Sequence, residues 1–376
     1  MTNICQNCGT SAPRSTGHCP VCGGICLRSG IWTANPNDLR SATPLLKSRI
    51  PGLEGTWMKF EGANPSGSFK DRVMSTLVAE AVEDGAPGAV VASSGNAAVA
   101  AASHCARAGL PLLVVVPERV PAPILDMVGL RGAAVLRVGE GPAAVHHLAK
   151  LVSERFQLPN LASTFGASGC EFACRSIGHE MADQMGERPI ATVAASVSVG
   201  PVLLGAARGI IESGRDSPRL VAGQAAGCAP IARAFSVGAK EVHPWEDPVD
   251  TRATSIADRL TGYSSEATYF LNQVRASGGL VDAAADEELQ EIRGLLASHD
   301  GLDVELSSCA AVAALRRSEL GGSDAVCILT GSGVKETLTA LSQFSQPQNI
   351  DEFFLSTVGE EAAMKEVQTW IHEYQS

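Results

Sequence analysis

The stretch AVVASSGNAAVAAASHCARAGLPLLVVVP, residues 89–117, decides the architecture. Ala89–Ala92 is a short apolar run, Asn96–Ala108 is an alanine-rich helical segment closed by Gly109, and 112–116 is a second apolar run stopped by Pro117. Runs without polar alternation read as strands buried on both faces. A helix between two of them specifies a parallel sheet covered on both sides.

The same succession continues outward from this unit. A helix over 123–130, the strand Ala134–Val138 and a helix over 143–156 follow it. Farther on, helices are expected at 171–185 and 202–213, and strands at 190–197, 220–224 and 326–329. Upstream, 31–53 reads as an irregular connector. The last thirty residues change character, becoming acidic with Phe and Trp, and a helical tail is expected over 359–374. In α/β sheets of this kind ligands bind at the carboxyl ends of strands, in the loops that open helices.

With 376 residues, and roughly 150 residues per domain, two or three domains are expected. Apolar residues make up 45 % and charged residues 18 %, so the chain has a large core; with aromatics at 5 %, that core is aliphatic. A formal charge of −11 disfavours nucleic-acid and anionic-membrane surfaces. The longest uncharged stretches, 86–106 and 190–207, are broken by Ser, Gly, Asn, His or Pro, so no membrane span is expected. The start, MTNICQNCGT, lacks a signal-peptide pattern, and a cytoplasmic protein is expected.

Four of the eleven cysteines fall in two pairs, Cys5-x2-Cys8 and Cys19-x2-Cys22. Each pair places two thiolates on one side of a metal, and two such turns complete a tetrahedron, so 1–30 is expected to be a zinc ribbon. Four protein ligands leave no open position, which makes the zinc structural. The plain alternative is a pair of reduced, unliganded turns. Cys26 and His18 are substitute ligands that break the paired spacing. Cys170 and Cys174 lie four apart but lack further partners for a second site.

Four loops carry distinctive chemistry. In GANPSGSFKDR (62–72) a Gly/Pro/Ser turn delivers Lys70 to the first turn of a helix through 74–83. The helix dipole disfavours a cation there, which lowers the amine's pKa and makes it a better nucleophile. The competing reading is a surface lysine paired with Asp71 or Glu61. Ser93, Ser94, Gly95 and Asn96, directly after a strand, form an anion-receptive cup or a plain capping turn. Ser196, Val197, Ser198, Val199 and Gly200 form a second such cup, and Thr330 in TGSG (330–333) places a hydroxyl at a strand's carboxyl end. For these two the alternative is an ordinary turn.

In this order the motifs resemble the threonine synthase family. It lies within the fold-type-II pyridoxal-phosphate enzymes, which include cysteine synthase and the tryptophan synthase β subunit. The resemblance runs from the ribbon to about Leu341 and is carried by GANPSGSFKDR (62–72), SSGNAAVAAASHCARAGLPLLVVVP (93–117), DGLDVELSSCAA (300–311) and LTGSGVK (329–335). It implies a tryptophan synthase β-like fold: two parallel-sheet α/β domains with pyridoxal 5'-phosphate in the cleft, a large one over 31–75 plus 157–345 and a small one over 76–156. The ribbon at 1–30 and a tail at 346–376 flank them.

The resemblance also implies roles. Lys70 holds the cofactor covalently and then moves protons at the substrate carbons. Asn96 bonds the ring hydroxyl, while Ser93, Ser94 and Gly95 hold the substrate carboxylate. Ser196–Gly200 takes the cofactor phosphate, and Thr330 faces the pyridine nitrogen. Two departures bear on substrate. Pro201 removes an amide, which turns attention to the hydroxyls of Ser196 and Ser198. Cys170 stands where threonine synthases carry a phosphate-binding arginine, leaving Ser66, Ser68 and Arg175 as substrate contacts.

The implied activity is conversion of O-phosphohomoserine and water to threonine and phosphate, by a homodimer binding small amino-acid substrates and no nucleic acid. The first alternative is a cysteate synthase-like β-replacement on O-phosphoserine or another activated serine, and the next is a simple dehydratase. From other classes come a zinc-ribbon interaction protein on a degenerate pyridoxal-phosphate scaffold, and a ribbon that reads nucleic acid. Lys70 in its motif argues against the former. The ribbon's only charged residues through 30, Arg14 and Arg28, argue against the latter.

Overall fold

The computed structural model describes residues 2–14, 16–30, 41–139, 142–162, 164–167, 169–337, 354–355 and 360–375. In chain order β1 (Asn3–Cys5), β2 (Ser11–Ala12), β3 (Cys26–Arg28), β4 (Leu45–Lys47) and β5 (Trp57–Phe60) come first. Then α1 (Lys70–Glu83), β6 (Ala89–Ala92), α2 (Asn96–Ala108), β7 (Leu112–Pro117), α3 (Ala122–Gly129), β8 (Ala134–Val138) and α4 (Pro142–Phe156) alternate. After α5 (Gly169–Met185) come β9 (Thr192–Ser196), α6 (Pro201–Glu212), β10 (Arg219–Ala225), α7 (Pro230–Ser236), α8 (Ser264–Ala276) and β11 (Leu280–Ala284). The last are α9 (Asp286–Leu295), α10 (Cys309–Arg317), β12 (Ala325–Leu329), β13 (Phe354–Leu355) and α11 (Glu360–Gln375).

The chain divides into two compact units. The first holds the N-terminal segment, Ser41–Phe69 and Thr164–Val334; the second holds Lys70–Ser163 and the C-terminal segment from Lys335.

In the first unit six strands run in the order β11-β10-β9-β12-β5-β4. All neighbours are parallel except β4, which pairs antiparallel with β5. The register sets Leu329 beside Phe60 and Ile328 beside Ala195, so the loops leaving β5, β12 and β9 emerge together at the carboxyl edge. The core is aliphatic, as composition predicts: Met58, Ala194, Val221, Cys327 and Leu329 of the sheet meet Val312 and Leu315 of α10. A Cβ on Gly223 of β10 would lie 2.2 Å from the backbone of Ala310, so helix and strand touch backbone to backbone.

The second unit has a four-stranded, wholly parallel sheet in the order β13-β8-β7-β6. Val90, Leu113, Val115 and Leu136 pack there against Val145, Leu148 and Val152 of α4. The α/β expectation is met in both units. Among the described residues no helix is long and apolar enough to cross a membrane.

Three expectations are corrected. The segment expected to be an irregular connector contains β4, and β5 follows it, a strand hidden from the sequence pattern because Lys59 interrupts its apolar run. That lysine is fully buried and donates at 2.8 Å to Glu180 and Gln184. The edge strand β11 is likewise absent from the expected strands, since it is half-exposed and contains Asp282. Finally, α11 is no separate tail: Met364, Val367 and Trp370 complete the second unit's core. Residues 338–353 and 356–359 of the expected tail lie outside the described residues.

Candidate active site and cysteine cluster

At the carboxyl edge of the first unit, the loop after β5 is fixed from below. Glu61 is fully buried; it accepts from the Thr43 hydroxyl at 2.7 Å and from Asn64 Nδ2 at 2.8 Å. Asn64 Nδ2 also donates to the Glu61 carbonyl at 2.8 Å, which closes the turn. Beyond it the loop is zipped to the one leaving β12. Ser332 N–H donates to Gly67 O at 2.9 Å, Ser68 bridges Gly331, and Phe69 N–H donates to Thr330 O at 3.0 Å. Lys70 follows Phe69 as the first residue of α1, half-buried. Ser66 and Ser68 are both buried in this loop.

Thr330 is buried, and its Oγ1 lies 3.0 Å from Ser308 Oγ, which accepts from Gly331 N–H at 3.1 Å. Ser196 is corrected here. Its hydroxyl donates to Ser308 O at 3.1 Å and accepts from Ala311 N–H at 2.9 Å. A hydroxyl has one proton to give, so Ser196 ties β9 to α10 and cannot stand in for a phosphate-binding amide. Ser308 lies in the motif DGLDVELSSCAA, where no local pattern marks it for a role.

The loop after β9 is built to present amides. Gln224, fully buried, places Nε2 3.4 Å from the carbonyls of Val197 and Ser198, and its Oε1 accepts from Ile231 and Ala232 N–H. With the carbonyls drawn inward, the amides of Ser198, Val199 and Gly200 make no hydrogen bond among the described residues. Gly200 has φ +104°, and a Cβ there would sit 2.2 Å from the Phe270 ring, so only glycine fits. Pro201 opens α6 at a position where a helix amide has no intrahelical acceptor. A run of free amides at a helix N-terminus suits an anion such as a cofactor phosphate.

In the second unit, the loop after β6 turns into α2. Gly95 N–H donates to Ser93 Oγ at 3.2 Å, Gly95 is the N-cap, and Asn96 is the first helical residue. Ser93 is half-buried and Ser94 exposed. Asp71, one residue after Lys70, is buried and lies 3.0 Å from His104 Nε2, which fastens α1 to α2.

The four paired cysteines come together: Cys5, Cys8, Cys19 and Cys22 place all their sulfurs within 4.8 Å of one another. Cys5–Cys22, Cys8–Cys19 and Cys8–Cys22 are 3.5, 3.6 and 3.4 Å apart. Sulfurs around a tetrahedral zinc at ~2.3 Å would be about 3.8 Å apart. The two turns are alike: Asn7 N–H points to Cys5 Sγ and Val21 N–H to Cys19 Sγ, each at 3.4 Å, and each pair is followed by a left-handed glycine, Gly9 or Gly23. The Thr10 hydroxyl and amide pull the Cys8 thiol down to about 6. Neither substitute joins the four. His18 turns to Glu266, 3.3 Å away, and Cys26, fully buried beside Cys5 and Cys19, lies outside the four-sulfur group.

Arg175 is also corrected. It is 3 % exposed, and its five N–H groups are all in use. Two go to Glu171, one to Glu212, and two to the carbonyls of Arg28 and Gly30. It therefore holds the end of the N-terminal ribbon against α5 and has no donor left for a substrate. Cys170, on the first turn of the same helix, is fully buried.

The family model of pyridoxal-phosphate dependent enzymes matches residues 37–331. A threonine synthase of Methanosarcina acetivorans is 33 % identical over 326 residues, 82 % of this chain and 78 % of that one. A threonine synthase of Halalkalibacterium halodurans is 33 % identical over 317 residues, 80 % and 84 % of the two chains. Among solved structures, maize serine racemase superposes with a TM-score of 0.68 at 21 % identity, covering 81 % of this chain and 92 % of that one. Threonine deaminase isoform 2 of Solanum lycopersicum gives 0.63 at 18 %, covering 84 % and 98 %.

Proposed function

Because the chain belongs to the pyridoxal-phosphate-dependent enzymes, we propose that it acts as a threonine synthase-like enzyme, converting O-phosphohomoserine and water to threonine and phosphate. The observation that carries this reading is the match to curated threonine synthases over about four fifths of both partners. The anion cradle and the zipped loop before Lys70 support it. Bound pyridoxal phosphate would supply an electron sink for charge developing at the substrate's carbons.

The residues divide that work. Lys70 Nζ would hold the cofactor at its aldehyde carbon and then carry protons to and from the substrate. The amides of Ser198, Val199 and Gly200 would take the phosphate, and Thr330 would meet the ring nitrogen. Asn96 would bond the ring hydroxyl; Ser93, Ser94 and Gly95 would hold the substrate carboxylate. The cysteine cluster would hold one structural zinc, with no open position for chemistry.

A second reading is favoured by the engagement of Arg175 and the burial of Cys170. A dianionic leaving group needs cationic or dense N–H contacts as it departs, and this helix offers none. Replacement at an activated serine makes less demand where the leaving group is not a phosphate, as in an O-acylserine; O-phosphoserine would make the same demand.

The test begins with colour. Supplied with pyridoxal phosphate, the chain should absorb near ~410 nm, and Lys70→Ala should lose that band and nearly all turnover. Phosphate release from O-phosphohomoserine and O-phosphoserine, set beside turnover of an O-acylserine, with products identified by mass, then separates the two readings. Failure of the wild-type chain to take up the cofactor would overturn both.

A further inference from the structure

We propose that Ser308 is a positioning residue for the cofactor ring, acting through Thr330. The inference rests on the reading above, in which Thr330 meets the ring nitrogen.

Ser308 is fully buried, and its Oγ accepts from Gly331 N–H at 3.1 Å. Its single proton has two acceptors in range: Thr330 Oγ1 at 3.0 Å and Gly331 O at 3.5 Å. Either hydroxyl can be the donor of this pair; when Thr330 gives its own proton to a ring nitrogen, Ser308 is the donor to Thr330 Oγ1. The Thr330 backbone is held separately, its carbonyl accepting from Phe69 N–H at 3.0 Å. With one lone pair filled by Ser308, the Thr330 hydroxyl keeps its own proton to give.

That sense of the bond has a chemical consequence. A hydroxyl that gives a proton matches a pyridine nitrogen carrying none; a hydroxyl that must receive would match a protonated ring. By supplying a proton to Thr330 Oγ1, Ser308 supports the unprotonated ring, the weaker electron sink that suits elimination and replacement over transamination. Ser308 is itself fixed on its other side, where its carbonyl accepts from Ser196 at 3.1 Å and Ser196 accepts from Ala311 N–H. The position of Ser308 is therefore tied to the end of β9, from which the amide cradle departs.

The experiment compares two cofactors on the full-length apo chain: pyridoxal phosphate, and its 1-deaza analogue with a C–H in place of the ring nitrogen. Each is titrated by absorbance against wild type, Ser308→Ala and Ser308→Cys, and cofactor-free thermal unfolding checks that the variants are folded. Wild type should prefer pyridoxal phosphate. Both variants should weaken pyridoxal phosphate by about five- to tenfold, the scale of one hydrogen bond, and leave the analogue within about twofold. In a Thr330→Ala background, Ser308→Ala should change neither affinity. Equal weakening of both cofactors would make Ser308 a structural residue only and overturn the proposal, as would an unchanged preference. A wild type that binds neither cofactor would overturn the functional reading and this inference with it.

Discussion

Nη2 of Arg175, in the middle of α5, donates to the backbone carbonyl of Arg28 at the end of the N-terminal ribbon, 2.9 Å away. The same guanidinium reaches Gly30 O at 3.0 Å, while two carboxylates neutralise it. Both guanidiniums lie over the Phe172 ring, with the carbons of Arg28 and Arg175 at 5.2 and 5.0 Å from its centroid. The ribbon is thus fastened to α5 by a buried ion cluster as well as by cation–π contacts.

Arg175→Ala should therefore be a stability variant. It leaves Glu171 buried beside a vacated site, and breaking a buried pair in this way costs about 3–5 kcal/mol. Thermal or urea unfolding should show the loss. Below the unfolding transition, KM for whichever amino acid is the substrate should stay within about twofold of wild type. A large rise in KM on a stably folded variant would restore Arg175 to the substrate site.

Metal analysis of the purified chain should find one zinc, and Cys8→Ser or Cys19→Ser should remove it. Because affinity at such a site is largely folding free energy, chelation should raise hydrogen exchange across 2–28. The two aliphatic cores should keep their protection. Chains without bound metal that still protect 2–28 would exclude a metal-dependent ribbon.

Gly200→Ala should strike the anion cradle. The methyl must enter the Phe270 ring at a positive φ, and relief requires the loop to move. Affinity for pyridoxal phosphate should fall at least about tenfold, the scale of losing one or more charge-assisted hydrogen bonds, and the apo chain should also lose stability. Retained cofactor affinity would place the phosphate elsewhere.

Alkaline titration gives a pH-dependent prediction. Of the three tyrosines, burial and the neighbouring Asp258 raise Tyr263, and burial raises Tyr269. A raised folded-state pKa means the native chain keeps protons that the unfolded chain releases. Stability is then intact below the unfolded value, ~10, and falls as pH rises above it. Phenolate absorbance near pH ~10 should account for no more than one equivalent until the chain unfolds. Three equivalents appearing at that pH in the folded chain would contradict the burial of these rings.

Much of the fold was legible because its signals are local. The limits of β6, α2 and β8 follow from apolar runs and Gly109, all decided by near neighbours in sequence. The strands missed were those whose polar residues find partners only after folding, as Lys59 does with Glu180, 121 positions away. The site divides in the same way. Paired cysteines and the Gly/Pro/Ser turn before Lys70 carry their chemistry in their spacing, and the cysteines do converge.

What the sequence by itself determined is the alternation of strands and helices, the four-sulfur cluster and the placing of Lys70 at the start of a helix. These depend on chain stiffness, side-chain periodicity and turn geometry over a few residues. The tertiary structure alone decided that Arg175 serves the ribbon, 147 positions from Arg28, and that Ser196 serves Ser308, 112 positions away. A charged or hydroxyl side chain takes the partner that spares it an unpaired burial, and which partner lies within 3 Å is settled only when the strands have been brought side by side.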